Sequence, residues 1–315
     1  MKKLFMAVIA LMMTLSASAQ FYIYFSDGTV AKVDSISMIA PEDPNPGTPD
    51  TPAEPETPSP GIGTFSVSAD KQVTFSPGNL QYTQSTNTWS FASAQYEVIG
   101  TDNVTGSGGL LTDATYGDTK SGTALADKVD LFGWSTSATY FGVSTSYDDS
   151  DYSGSFVDWG TNRIGNDAPN TWRTLTYDEW NYLLNNRNNA FSLRGVAQVN
   201  GVNGLIFLPD NWTCPADVTF KSGFHSSYGV DYYAAYQTFT AGQWSKLEKS
   251  GAVFLPAAGT RDGTSVYYVQ NYGVYWPATE YNSDGANVLF FYSDGAYMYD
   301  CNRYIGQSVR LVKDL

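Results

Sequence analysis

The chain has 315 residues, a net charge of −14, 15% charged and 15% aromatic residues, 23 tyrosines and 2 cysteines. A chain this acidic is repelled by phosphate backbones and anionic lipid surfaces, which argues against nucleic-acid binding and polybasic membrane attachment. Two cysteines cannot supply a disulfide framework for this length, and with His225 as the sole histidine they do not make a structural zinc site.

In chain order, residues 1–19 read as a signal peptide. Lys2 and Lys3 precede an apolar run at 4–15 that is too short to span a bilayer, and Ala17-Ser18-Ala19 has the small-x-small pattern cut by signal peptidase, here before Gln20. An exported protein is therefore expected, whether secreted, cell-surface or periplasmic, with no later stretch long enough for a transmembrane segment. Losing the two lysines takes the net charge from −14 to about −16. In an oxidising compartment Cys214 and Cys301 could pair, although nothing in the sequence brings them together.

Residues 20–40 read as a short β-hairpin module. An aromatic, β-branched run at 21–25 and a second strand at 29–38 flank the turn signal Ser26-Asp27-Gly28. The pattern resembles the N-terminal module of many secreted proteins of anaerobic gut bacteria. Residues 41–61 form a linker, with prolines at 41, 44, 46, 49, 52, 55, 58 and 60 among Thr, Glu, Asp and Gly. Proline fixes φ and removes donors, so an extended spacer is expected.

Residues 62–315 read as one α+β domain. Period-two alternation predicts strands at 65–68, 72–75, 89–91 and 96–99, and residues 100–155 are loop-rich. Thr176 and Glu179 form a capping box, and Leu175 with Trp180 a hydrophobic staple, opening a helix that buries Trp180, Leu183 and Leu184 and ends near Arg187. A second helix is predicted over 241–249, with Trp244 and Leu247 inward and Gly251 just past its end. Strands follow from residue 252 to the C-terminus.

Three segments carry a resemblance. Trp172-Arg173-Thr174-Leu175-Thr176-Tyr177-Asp178-Glu179-Trp180, Tyr275-Trp276-Pro277-Ala278-Thr279-Glu280 and Gly306-Gln307-Ser308-Val309-Arg310-Leu311-Val312-Lys313-Asp314 occur in this order. Together they resemble motifs of formylglycine-generating-enzyme-like domains and of the Fibrobacter succinogenes major paralogous domain, over roughly residues 155–315. The resemblance implies a C-type-lectin-like fold: two helices around a small, twisted, mostly antiparallel sheet, with long loops carrying recognition. Catalytic members of that family use paired cysteines near the C-terminus and bound metal. Here Cys301 is the lone cysteine of that region, so the resemblance implies a binder and not an enzyme. Arg310, in an apolar final strand, reads as a structural arginine holding a carboxylate or carbonyls.

Other chemistry is thinly signalled. His225 has no nucleophile motif beside it, and no spacing singles out a carboxylate pair for glycoside hydrolysis, although any two acids can meet in space. Asp148-Asp149-Ser150-Asp151 offers oxygen ligands of the kind calcium takes, but lacks a Gly turn with a distal Glu, so an exposed acidic loop is the simpler reading and no cofactor is expected. The region 267–304 is more informative. Tyr267, Tyr268, Tyr272, Tyr281, Tyr292, Tyr297, Tyr299 and Tyr304 alternate with Asn271, Asn282, Asp284, Asn287, Asp294, Asp300, Asn302 and Arg303, over scaffold residues Trp276, Ala286, Leu289 and Phe290. Rigid aromatic anchors beside adaptable polar neighbours are what a paratope uses. The composition also resembles the variable region of lectin-fold proteins diversified by retroelements that mutate adenines, because altered Asn codons yield Tyr, Asp, Ser, Gly, Cys and Arg. An exposed loop position for Cys301 would fit that origin. Three readings stay open: a diversified binder, a fixed-sequence binder of an unknown protein or carbohydrate, and a surface or fimbrial-type adhesion component.

Overall fold

The computed structural model describes residues 21–24, 30–33, 62–100, 128–137, 141–143, 146, 148–263 and 265–315. The chain divides into two units, 1–56 and 57–315. In the first, β1 (Phe21–Tyr24) pairs antiparallel with β2 (Val30–Val33), Tyr24 opposite Val30, which is the expected hairpin. The signal peptide and the Pro-rich linker lie outside the described residues.

The second unit is mixed α+β, with many short strands and few helices. β3 (Phe65–Ser66), β4 (Gln72–Phe75), β5 (Leu80–Thr83), β6 (Thr88–Phe91) and β7 (Lys128–Val129) come first. Residues 96–99, expected as a strand, are irregular. Val98 and Ile99 are buried, but the Ile99 N–H donates to the Asp130 carboxylate and the Glu97 carboxylate accepts from Gln81, so no ladder forms. After β8 (Arg173–Thr174), α1 (Tyr177–Asn181) starts at the predicted capping box, with both reciprocal bonds present. It runs into a π-helical turn, Tyr182–Asn186, which the Arg187 N–H closes on the Tyr182 carbonyl at 2.8 Å.

β9 (Arg194–Val199) and β10 (Val202–Phe207) form the central hairpin, joined by Asn200-Gly201, whose φ values of 48° and 80° are those a type I′ turn requires. Then follow α2 (Asp231–Tyr236), β11 (Thr238–Phe239) and α3 (Ala241–Lys249). α3 ends in a Schellman motif: the Gly251 N–H bonds the Glu248 carbonyl, the Ala252 N–H bonds the Leu247 carbonyl, and Gly251 has φ +86°. β12 (Val253–Pro256), β13 (Thr260–Asp262), β14 (Ser265–Tyr267), β15 (Gly273–Tyr275), β16 (Gly285–Tyr292), β17 (Gly295–Asn302) and β18 (Leu311–Asp314) complete the chain.

The sheet β11-β9-β10-β12 divides the interior. Alternate residues Leu205 and Phe207 face a core with Trp180 of α1, while Ile206 and Leu208 face a second core with Trp244 of α3. Both faces are covered, so β10 is buried throughout. A third core gathers Trp134, Trp159 and Trp276 between β5 and β16. No helix among the described residues is long and apolar enough to cross a membrane.

Ion pairs tie the ends of this unit together. β18 lies between β4 and β8, and Arg173 contacts both Glu179 and Asp314 at 2.7 Å, with Lys71 joining Glu179 at 3.1 Å. Burial alone would raise the Glu179 pKa, but bonds from Arg173 and the Thr176 N–H outweigh it and hold the carboxyl below its ordinary value. The Arg173 hydrogen bond does the same for Asp314. Folded-state values below the unfolded ones mean that this contribution is fully present above the unfolded pKa of about 4 and is lost as pH falls through the folded values. Urea midpoints should therefore fall between about pH 5 and pH 3. Arg173→Ala should flatten that slope and cost about 2 kcal/mol at neutral pH.

Candidate functional site

The β16–β17 hairpin generates the site. Its two-residue turn, Ser293-Asp294, sets Tyr292 opposite Gly295, and hence Phe290 opposite Tyr297, Val288 opposite Tyr299 and Ala286 opposite Cys301. Side chains alternate along a strand, so even positions of β16 and odd positions of β17 share one face. The other face carries Leu289 and Phe291, with Ala296 and Met298 packed beside them, into the first core. β15 adds Val274 opposite Phe290 to the outer face.

That outer face is the floor of a groove of about 530 Å³. Val274, Val288 and Phe290 line it below, with Tyr299, Asp300 and Cys301 on the β17 side. Tyr267, Tyr268 and Tyr272 form the opposite wall, and Asp262, Ile305 and Gln307 also line the space. Tyr268 is 53% exposed and Tyr299 67%. The Tyr268 and Tyr272 rings stack at 4.3 Å, and Tyr272 meets Phe290 edge-on at 5.1 Å. Tyr268 and Gln270 have φ of +59° and +68°, a left-handed backbone uncommon for such residues. The turn is held there because buried Asn203 receives the Gln270 side-chain oxygen at its N–H (2.7 Å) and donates its own amide to the Gln270 carbonyl (2.8 Å).

The groove passes into a second aromatic patch. Tyr228, from a distant loop, donates to the Tyr272 hydroxyl at 2.8 Å and accepts from Asn271 at 3.0 Å. Its ring meets Tyr292 edge-on at 5.2 Å, and Tyr292 lies 5.8 Å from Tyr297. Burial raises the phenol pKa of Tyr272, aided by its bond with Tyr228, and burial likewise raises that of Tyr292, beside Tyr297 and Asp294.

Of the residues expected from sequence, Tyr267, Tyr268, Tyr272, Tyr299 and Asp300 line the groove, and Asn271, Tyr292 and Tyr297 join the adjoining patch. Asp294 sits in the hairpin turn. Tyr281, Asn282, Asp284, Asn287, Asn302 and Tyr304 do not line the groove. Among them, Asn282 accepts from the Asp284 and Gly285 N–H groups (2.9 and 2.6 Å), and Asn287 donates to the Thr279 and Glu280 carbonyls. Those side chains shape the loop before β16. Asn302 donates to the Tyr304 hydroxyl at 3.2 Å. Arg303, read as part of the polar array, is instead buried at 2% exposure, bonding backbone carbonyls from two segments, 152–154 and 282–285. Arg310 is fully buried and holds the Gln95 side-chain oxygen at 2.6 Å, near the Phe254 carbonyl. Burial lowers its pKa to about 10.

Sequence reasoning missed Asp262, Ile305, Gln307 and Tyr228 as site residues. Gln307 lies within the closing motif, which the sequence offers only as a fold resemblance. Tyr228 lies far upstream, so no local signal joins it to Tyr272.

The two cysteines do not pair: Cys214 is exposed and Cys301 half-buried, each a free thiol. Cys301 is not on a loop but on β17, packed against the third core. Burial pushes its thiol up to about 11. At neutral pH the thiolate, the reactive form, is therefore scarce. A thiol reagent should label Cys214 rapidly in the native protein and Cys301 much more slowly; mass spectrometry of peptides from timed reactions would show it. His225 accepts from the Ser227 N–H at 2.9 Å and stacks on Tyr232 at 4.5 Å. Residues 149–152 form one 3₁₀ turn capped by Asp148, whose pKa is lowered by hydrogen bonds from Ser150. Among the described residues no group of three or more His, Cys, Asp or Glu is placed to hold a metal ion.

A family model described as a domain of unknown function (DUF8237) matches residues 240–312, the stretch from α3 to β18 that holds every groove residue named above. Comparison with curated proteins and with solved structures gave no match.

Proposed function

We propose that this is an exported binding protein that holds its ligand in the tyrosine-walled groove of β15–β17. The observation that carries the reading is the exposure of Tyr268 and Tyr299 across an apolar floor, on a scaffold whose buried arginines are all committed to structure. Tyrosine gives large contact area at low entropic cost, and a concave, mostly apolar site with a few polar groups is what a binding site requires. A C-type-lectin-like fold is the finer reading. It is supported by the way the resembled motifs interlock: Arg173 of the first pairs with Asp314 of the last, and in the middle one the Ala278 N–H donates to the Leu175 carbonyl at 2.8 Å and the Trp276 N–H to the Ser308 carbonyl at 3.0 Å. The role is non-catalytic, in keeping with the protonated state of Cys301 near neutral pH.

Diversification by a retroelement is a testable extension. Sequencing the 3′ end of the gene across a population would support it by clustered changes at Asn-type codons between 267 and 304 beside a template repeat. A uniform sequence leaves a fixed binder. Screening the purified domain against glycan and peptide arrays tests the binding reading itself, which fails if no array member is lost on mutating the groove. An adhesion or fimbrial-type subunit is the second reading. It is favoured by β17, an eight-residue strand at the edge of its sheet among the described residues with Tyr297 48% and Tyr299 67% exposed, since an edge strand of this length invites another strand. That reading predicts concentration-dependent self-association in analytical ultracentrifugation.

A further inference from the structure

We infer that the groove selects a cationic group, a guanidinium or an alkylammonium, carried by a peptide or a small amine. This rests on the binding reading above and adds the chemistry of the ligand. Among the described residues the lining holds no Lys, Arg or His, and its charged members are Asp262 and Asp300. Asp300 has the opposite β17 parity to Tyr299 and Cys301, so its side chain belongs to the other face and Asp262 is the carboxylate of the groove. Tyr267, Tyr268, Tyr272 and Tyr299 add aromatic faces, whose negative quadrupole attracts cations, most strongly where water is displaced. A carboxylate beside tyrosine rings over an apolar floor matches a group with an apolar stem and a positive head.

Gln307 supplies an independent observation. It lines the groove, is 1% exposed, and donates through Nε2 to the Cys301 sulfur at 3.4 Å, while its Oε1 has no hydrogen-bond partner among the described residues. A buried acceptor without a partner is costly to leave unmet, and a ligand N–H would satisfy it. Gln307 Oε1 and the Asp262 carboxylate accept, so a donor-rich ligand fits and an acceptor-rich anion does not. The net charge of −14 adds long-range attraction of the same sign. A neutral sugar, which must exchange donors and acceptors about evenly, is less well matched, because the side-chain donors of the described lining are the hydroxyls of Tyr and Thr260, the Gln307 amide and the Cys301 thiol.

The test is calorimetric titration of the full chain with pentapeptides Gly-Gly-X-Gly-Gly. X is arginine, lysine, trimethyl-lysine, citrulline, glutamine or aspartate, and free arginine amide and neutral oligosaccharides are run beside them. The expected result is at least tenfold tighter binding of the cationic peptides than of citrulline or glutamine, weakening with salt. Asp262→Asn should reduce it about tenfold, and Tyr268→Ala with Tyr299→Ala should abolish it. Arginine amide binding as well as its peptide identifies a small amine as a sufficient source, and weaker binding identifies the peptide. Citrulline binding as tightly as arginine overturns charge selection. So does an oligosaccharide whose binding is lost in the tyrosine variant, although that result leaves the groove as the binding site. Cation binding that survives the tyrosine substitutions refutes the groove, and no binding by any probe overturns the inference, leaving the array screen to decide the binding reading separately.

Discussion

Tyr268→Ala combined with Tyr299→Ala is expected to weaken ligand binding by 100-fold or more while leaving the domain folded. Both rings are more than half exposed, so their removal opens no cavity in the core. Each stands at the wall of a concave site, where truncating an aromatic anchor typically costs about 2 kcal/mol of binding, and two such losses multiply. Tyr268 has a left-handed backbone with φ +59° whatever its side chain, so alanine there adds little new strain. The check is binding to the best array-derived ligand beside a thermal melt. If the melt shifts by what about 2 kcal/mol would produce, the tyrosines brace the fold and are not the recognition surface. Tyr272 is a poorer probe, because it touches Tyr268, Tyr228 and Phe290 at once.

Arg303→Ala should destabilise the domain by about 3 kcal/mol, with Arg303→Lys recovering little of it. The guanidinium bonds the carbonyls of Gly285 (3.3 Å), Tyr152 (3.3 Å), Gly154 (3.2 Å) and Asn282 (2.5 Å), pairs with Glu280 at 3.2 Å, and lies 4.4 Å over the Trp134 ring. Alanine would orphan several buried carbonyls and leave a void against Trp134. A lysine ammonium cannot fan out to acceptors on so many sides. Urea unfolding of the three proteins would measure this. An unchanged midpoint in Arg303→Ala, with binding lost, would return this residue to the recognition surface.

These two residue sets show why composition by itself does not sort groove-facing side chains from buried ones. In a strand, parity decides which way a side chain points, and parity across a hairpin depends on the turn. Tyr297, Tyr299 and Cys301 share a face with Val288 and Phe290 because the Ser293-Asp294 turn sets Tyr292 opposite Gly295. Composition grouped Arg303 and Asn282 with the tyrosines, since all are polar or amphipathic and near in sequence. Burial separates them: Arg303 lies under the loop that Asn282 caps. The helices were more legible. Thr176 and Glu179, three residues apart, specify the start of α1 by local hydrogen bonds alone, and Gly251 marks the end of α3 for the same reason. The Val98-Ile99 stretch misled because apolar alternation looks alike in a strand and in an irregular buried segment, and an Asp130 carboxylate took the place of a neighbouring strand.

By itself the sequence determined what depends on near neighbours: the acidic charge balance, the capped helices, the N-terminal hairpin, the α+β class and the concentration of tyrosine towards the C-terminus. Those features follow from backbone conformational preferences and hydrogen bonds over a few residues. Only the tertiary structure decided the groove. Its wall comes from a turn pinned to Asn203, its floor from three strands, its unsatisfied acceptor from Gln307, and its aromatic extension from Tyr228. Contacts between residues tens of positions apart are fixed by packing the whole chain around shared cores, and no local pattern records them.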